Sequence, residues 1–188
     1  MKQLLRGILI GLAVTLAAVA GSALAKAPLA KTSQPGWYRM MLGDFEITAL
    51  SDGTVALPMD KLLTNTTPAK VEAALAQAYL KPPVETSVNG FLINTGSKLV
   101  LIDAGAGALF GPTLGKLVTS LKASGYQPEQ VDEIYITHMH PDHVGNLVSN
   151  GKVVFPNAIV RAGKAEGEFW LTQTNMDTSS GYATASNH

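Results

Sequence analysis

The sequence has no cysteine, which excludes disulfides, a thiolate nucleophile and a lipid-modified cysteine anchor. A chain exported without disulfides must be held by its core or by metal. Charged residues make up only 15% of the chain and aromatic residues 6%. With no basic run and no basic stripe carrying interleaved aromatics, nothing in the sequence suggests nucleic acid, and none is expected as a partner. No internal repeat is visible. Histidine is scarce as well: there are four in 188 residues, and three of them fall between 138 and 143.

The longest apolar run is confined to the first residues. "MKQLLRGILIGLAVTLAAVAGSALAK" opens with Lys2 and Arg6, continues apolar from Gly7 to Ala20, and reaches Ala23-Leu24-Ala25, an A-x-A cleavage signal. The apolar stretch is short, and rich in Ala and Gly, for a span of roughly 20 residues. Residues 1–25 are therefore read as a signal peptide rather than a stable membrane anchor, with export to a periplasm or beyond. Cleavage of 25 from 188 residues leaves 163, and loss of Lys2 and Arg6 takes 14 basic residues to 12 against 14 acidic ones, a net charge of −2. That length suits one domain with a modest core.

Residues 26–36 read as a solvated leader and 176–188 as a polar tail, bracketing a domain at 37–175. In "DFEITALSDGTVALP", Phe45, Ile47 and Ala49 alternate onto one face, "SDG" reads as a turn and "TVALP" as the return strand. "TPAKVEAALAQAYL" predicts a helix with Thr67 as N-cap, Pro68 at its first position and a buried stripe of Val71, Ala74, Leu75 and Ala78. "VNGFLINTGSKLVLIDAG" predicts a hairpin, and its second run reads as a buried strand. Leu114, Leu117, Val118 and Leu121 mark a second helix that Gly125 stops. "VDEIYIT" is a further strand, followed by short strands in "KVVFP" and "AIVRA" and a helix in "KAEGEFWLTQ". Hairpins followed by β-α-β units predict a layered α/β domain.

"VDEIYIT" runs directly into "HMHPDHVGN". Extended backbone puts His138 and His140 on one side, where two imidazoles can grip one ion. Pro141 keeps His140 out of the helical region and turns the chain. Asp142 and His143 then face another point, where a second ion about 3.5–4 Å from the first would complete a two-metal hydrolytic spacing. Gly145 lets the backbone pass close to whatever is bound. Asp142 can also cap the following helix. Three histidines around an aspartate at the end of an apolar strand are poorly explained by solvation, and they suit a zinc-like ion. "DAGAGALFG" is spaced Gly105, Gly107, Gly111 and misses the dinucleotide-binding G-x-G-x-x-G pattern.

His138-x-His140-x-Asp142-His143 resembles the H-x-H-x-D-H signature of the metallo-β-lactamase fold superfamily. "YRMMLGDFEITALSDGTVALP", "ETSVNGFLINTGSKLVLIDAGAGALFGPTLGKL" and "LKASGYQPEQVDEIYITHMHPDHVGN" further resemble the methyl parathion hydrolase-like group. The resemblance implies an αβ/βα sandwich and a binuclear Zn2+ hydrolase. His138 and His140 would serve one ion, and Asp142, also the candidate catalytic residue, and His143 the other. A metal-bound hydroxide would attack a phosphotriester, lactone or ester. Asp103 resembles the aspartate supporting the metal loop; an Asx-type turn with "AGAG" is its alternative. Phe110 and Trp170 match aromatic positions at the substrate mouth, although either also suits a core.

The resemblance also implies ligands from later strands: a further histidine, a bridging aspartate and a final histidine. After His143 the only histidine is His188, and Asp177 lies in the polar tail. The sequence is thus expected to carry about the N-terminal half of the fold and half of the ligand set. Two readings follow: a metallo-hydrolase lacking its second half, or a weakly metal-binding remnant or subunit completed by a partner. On either, the isolated chain is expected to be a poor or inactive catalyst. Strands "LVLID" and "VDEIYIT" read as buried on both faces in a complete fold. An uncovered face would favour self-association, which leaves a homodimer open.

Overall fold

The computed structural model describes residues 27–32 and 34–172. The expected signal peptide at 1–25, the polar tail at 176–188, Asp177 and His188 lie outside the described residues. Two units divide after Ser33; in the first, residues 27–32 are exposed and lack regular secondary structure. Among the described residues no helix is long and apolar enough to cross a membrane.

The second unit is built on a six-stranded sheet. Its strands are β1 (Trp37–Leu42), β2 (Phe45–Leu57), β3 (Val84–Asn94), β4 (Leu99–Ile102), β5 (Glu133–Ile136) and, after two intervening short strands, β8 (Ile159–Ala162), in that spatial order. β1 to β4 pair antiparallel, whereas β4–β5 and β5–β8 are parallel. Parallel pairing needs a crossover. α3 (Leu117–Ala123) lies in the first crossover. The second holds α4 (Pro141–Val144) and the small hairpin of β6 (Val148–Ser149) and β7 (Lys152–Val153). α1 (Met59–Leu62) and α2 (Pro68–Gln77) connect β2 to β3, and α5 (Lys164–Trp170) follows β8.

Alternation decides which face is covered. Leu50, Leu92, Leu101 and Ile134 point to the same side and bury against Leu117 and Leu121 of α3, with Val131, Val144 and Phe155 closing the cluster. The helix follows the apolar spacing of Leu117 and Leu121, and Gly125 ends it at φ 99°, a left-handed conformation that costs glycine little. On the opposite face, register aligns Tyr38, Ala49, Phe91, Ile102, Tyr135 and Arg161 across all six strands. Tyr38, Phe91 and Tyr135 there remain exposed. The six-stranded sheet thus has one face covered by α3 and the other open, an αβ half of the expected sandwich.

One face of β4 and β5 is left uncovered, as expected for half of the sandwich: Val100 and Ile102 are half-buried and Tyr135 is exposed. Two expectations are corrected. "SDG" is not a turn: β2 runs unbroken through Asp52, with a bulge between Ser51 and Gly53. The bulge absorbs the residue that read as a break. The helix at 68–77 begins as expected, with Thr67 Oγ1 accepting from Lys70 N (3.4 Å), but of its stripe only Val71 is buried. Leu75 is half-buried and Ala74 and Ala78 are exposed, since α2 packs on little besides α1.

Candidate functional site

Ile134 and Ile136 anchor β5 in the core, so the chain leaves the sheet at Thr137 with its next residues over the carboxyl end of the parallel strands. Ligands of open α/β sheets bind at that end. His140 is extended (φ −74°, ψ 155°), as the following proline requires, and its carbonyl accepts from His143 N (2.9 Å) to start α4. Pro141 and Val144 are buried, which leaves Asp142 and His143 half-buried on the other side of that single turn. The three rings gather: His138 lies 4.6 Å from His140 and 3.9 Å from His143, centroid to centroid.

Asp103, at the end of β4, faces this cluster. Its carboxylate accepts from Thr137 N and Thr137 Oγ1, each at 2.8 Å, and pairs with His143 Nδ1 at 2.8 Å. It therefore serves the histidine loop rather than the "AGAG" turn. Its own backbone sits at φ 58°, in a left-handed region that aspartate tolerates better than most residues. His143 Nε2 lies 3.4 Å from Asp142 Oδ2.

These contacts set the charges. Hydrogen bonding to Asp103, then to Asp142, raises the His143 pKa to about 9 against the effect of burial. Burial would raise the Asp103 carboxyl, but His143 and Thr137 outweigh it and hold the carboxyl below its ordinary value. Asp142 is lowered chiefly by its hydrogen bond with His143. His138 is lowered by burial first, then by the neighbouring His143 and His140.

The donor set, three imidazoles and a carboxylate within six residues, fits a divalent zinc-like ion in kind and in proximity. The fit is partial: among the described residues no three histidine or acidic side chains are arranged to hold one. His143 and Asp142 are turned towards each other, and His143 towards Asp103.

The two aromatic candidates separate. Trp170 is buried and meets the His140 ring edge-on at 5.6 Å. Glu166 fixes it, accepting from Trp170 Nε1 (3.0 Å) and from Met139 N (2.8 Å), so α5 is tied to the histidine loop. Phe110 instead packs on a second small core of Val88, Ala106 and Leu114. An apolar hollow of about 280 Å³ under the β6–β7 hairpin, lined by Ile134, Val153, Phe155 and Val160 among others, contains none of the cluster residues.

Sequence reasoning missed Glu166, Asn146 and above all Asp52. Asp52 is completely buried, and it accepts from Ala106 N (2.9 Å), Gly115 N (2.9 Å), Leu117 N (2.8 Å) and Asn146 Nδ2 (3.4 Å). The available signal was parity: Thr48 and Leu50 are buried, and position 52 points the same way. Gly145 also acts differently from expectation. A Cβ there would lie 1.9 Å from the Ala106 carbonyl oxygen, so the close approach is to the loop after β4.

Comparison with known proteins agrees with this geometry. Residues 83–164 match the sequence profile of the metallo-beta-lactamase superfamily. The structure resembles the hydrolase AbOPH of the beta lactamase superfamily, at TM-score 0.76 and 39% identity, covering 83% of this chain and 56% of that one. It also resembles AidC, a dizinc quorum-quenching lactonase, at TM-score 0.73 and 25% identity, covering 81% and 57%. Ribonuclease Z of Pyrococcus furiosus is 34% identical over 75 residues, 40% of this chain and 22% of that protein. The chain thus spans little more than half the length of the two solved structures. With this mixed sheet and "HMHPDHVGN" at the end of β5, the chain belongs to the metallo-beta-lactamase superfamily.

Proposed function

We propose that this chain carries one part of a metal-dependent hydrolase centre acting on a small ester, lactone or phosphotriester. His138 and His140 would hold one zinc ion, and Asp142 and His143 would hold a second. The observation that carries the reading is the Asp103–His143 pair: a carboxylate holds Nδ1 at 2.8 Å and leaves Nε2 beside Asp142. Metal-binding histidines typically engage a carboxylate through the ring nitrogen that does not ligate, which fixes tautomer and orientation. When bound, such ions supply Lewis acidity and lower the pKa of water from about 15.7 to roughly 7.

The chain's own residues do the rest. Asp103 orients His143 and, through Thr137, holds the start of the loop. Trp170, locked by Glu166, presents an aromatic wall beside His140 that orients an apolar substrate group and sheds water. Resemblance to the hydrolase AbOPH supports hydrolysis and resemblance to the lactonase AidC supports the lactone class, while the ester and phosphotriester classes rest on the methyl parathion hydrolase-like stretches of the sequence. The absence of three convergent donors among the described residues favours a second reading, a metal-binding subunit or remnant without turnover of its own.

The test is an assay of the 188-residue chain with Zn2+ on methyl parathion, an acyl-homoserine lactone and an aryl acetate. Slow turnover of at least one, abolished by chelator and by His138→Ala with His140→Ala, is expected. Turnover that survives both treatments would overturn the proposal. Zinc retention with no turnover at all would select the second reading.

A further inference from the structure

We propose that Asp52, far from the cluster in sequence, is a positioning residue that sets the backbone of the metal-binding loop; this rests on the reading of that loop as a metal site. A completely buried carboxylate is costly unless hydrogen bonds satisfy it. An apolar residue would fill the same place behind Leu50 without that cost. What only an acceptor-only group can do there is gather donors from several segments at one point.

The donors come from three places. Ala106 lies in the loop after β4, Gly115 and Leu117 lead into α3, and Asn146 follows the last residue of "HMHPDHVG". The loop after β4 is in turn strapped to the histidine segment. Ala104 N donates to His143 O, Gly145 N to Gly105 O and Asn146 Nδ2 to Ala104 O, each at 2.8 Å. Gly105 makes the approach feasible. Its φ is 76°, and a Cβ there would stand 2.6 Å from Asp52 Oδ1 and 3.0 Å from Asn146 Nδ2. The bulge between Ser51 and Gly53 aims Asp52 into this junction, a use of bulges common beside active sites. Two carboxylates thus divide the work. Asp103 fixes the His143 ring, and Asp52 fixes the backbone from which His143 projects.

Replacing Asp52 by Asn sets a side-chain NH2 against backbone N–H donors and leaves at least one of them unmatched. The experiment compares Asp52→Asn with Leu121→Ala, a core change away from the loop, in the full chain. Two readouts are taken at a temperature where circular dichroism shows both folded. The first needs no metal: hydrogen exchange of the Ala104 and Gly145 amides, against those of Asp132 and Ser124, which bond Leu99 O and Ser120 O elsewhere in the fold. The second is Co2+ affinity with its visible absorption.

In Asp52→Asn, Ala104 and Gly145 should exchange faster than the reference amides by at least about tenfold, with Co2+ bound about tenfold or more weakly and an altered spectrum. Leu121→Ala should speed all four amides alike and leave the spectrum unchanged. Uniform acceleration in Asp52→Asn, or parental Co2+ affinity, would overturn the proposal and make Asp52 a stability residue only. If Asp52→Asn does not fold, Asn146→Ala, which cuts a single arm, decides by the same criteria. A parent chain that binds no Co2+ defeats the metal reading, while the amide comparison still decides the role of Asp52.

Discussion

Asp103 holds three hydrogen bonds from a left-handed backbone, and each of them ends on the histidine segment. Asp103→Asn keeps the shape but not two full acceptor oxygens, so His143 loses its fixed orientation. Zinc affinity should fall about 10–100-fold, the usual cost of losing such a supporting partner. A competition titration with a chromophoric chelator measures it; an unchanged constant would mean that Thr137 or Asp142 suffices. At this scale the cluster was open to sequence reasoning because its geometry is local: strand parity, a proline and one helical turn place His138, His140, Asp142 and His143. Asp52 was not, since "SDG" carries a strong local turn signal and its partners lie 54 to 94 residues away. Trp170 beside His140 came from resemblance, and Phe110, expected at the mouth, packs instead with Ala106 and Leu114.

Parallel pairing is slightly less stable per residue than antiparallel, and here an ion network also ties the segments of β4, β5 and β8 together. Glu133 pairs with Lys98, which precedes β4, accepts from Tyr135 Oη (2.9 Å) and accepts from Arg161 Nε of β8 (2.8 Å). Lys98, then Arg161 and Tyr135, lower its pKa from 4.5 to about 2. The folded state therefore binds its proton less readily than the unfolded chain does. The contribution is complete above pH 4.5 and is lost as pH falls towards about 2. Glu133→Gln should remove that part of the acid transition, read as a smaller drop in urea midpoint between those two pH values than in the parent. Equal drops would assign the acid sensitivity to other carboxylates. Element burial gives a second contrast. Leu101→Ala, fully buried in β4, should cost about 2–5 kcal/mol by chemical denaturation. Tyr79→Ala, after α2 and 98% exposed, should stay within about 0.5 kcal/mol. The α2 stripe misled because apolar period shows that a face can be buried, not that a neighbour is there to bury it.

For the whole molecule, the class of fold followed from element order, since hairpins feeding β-α-β units leave few layered solutions. Which face would be covered did not follow: β4 is a continuous apolar run, the pattern of a strand buried on both faces, and it has no alternation to mark its covered side. The open row of Tyr38, Phe91 and Tyr135, with Met40 beside it, should make the chain self-associate at micromolar concentration. Phe91→Ser with Met40→Ser should shift light-scattering mass towards the monomer, whereas an unchanged mass would place association elsewhere. Zinc retention tests the metal centre most directly. Parent and His138→Ala/His140→Ala chains are equilibrated with Zn2+, passed through gel filtration and analysed for bound metal. The parent should keep zinc and the double variant should lose it, with circular dichroism unchanged. Equal zinc in both, or none in the parent, would contradict the assignment of "HMHPDH" as the ligand set.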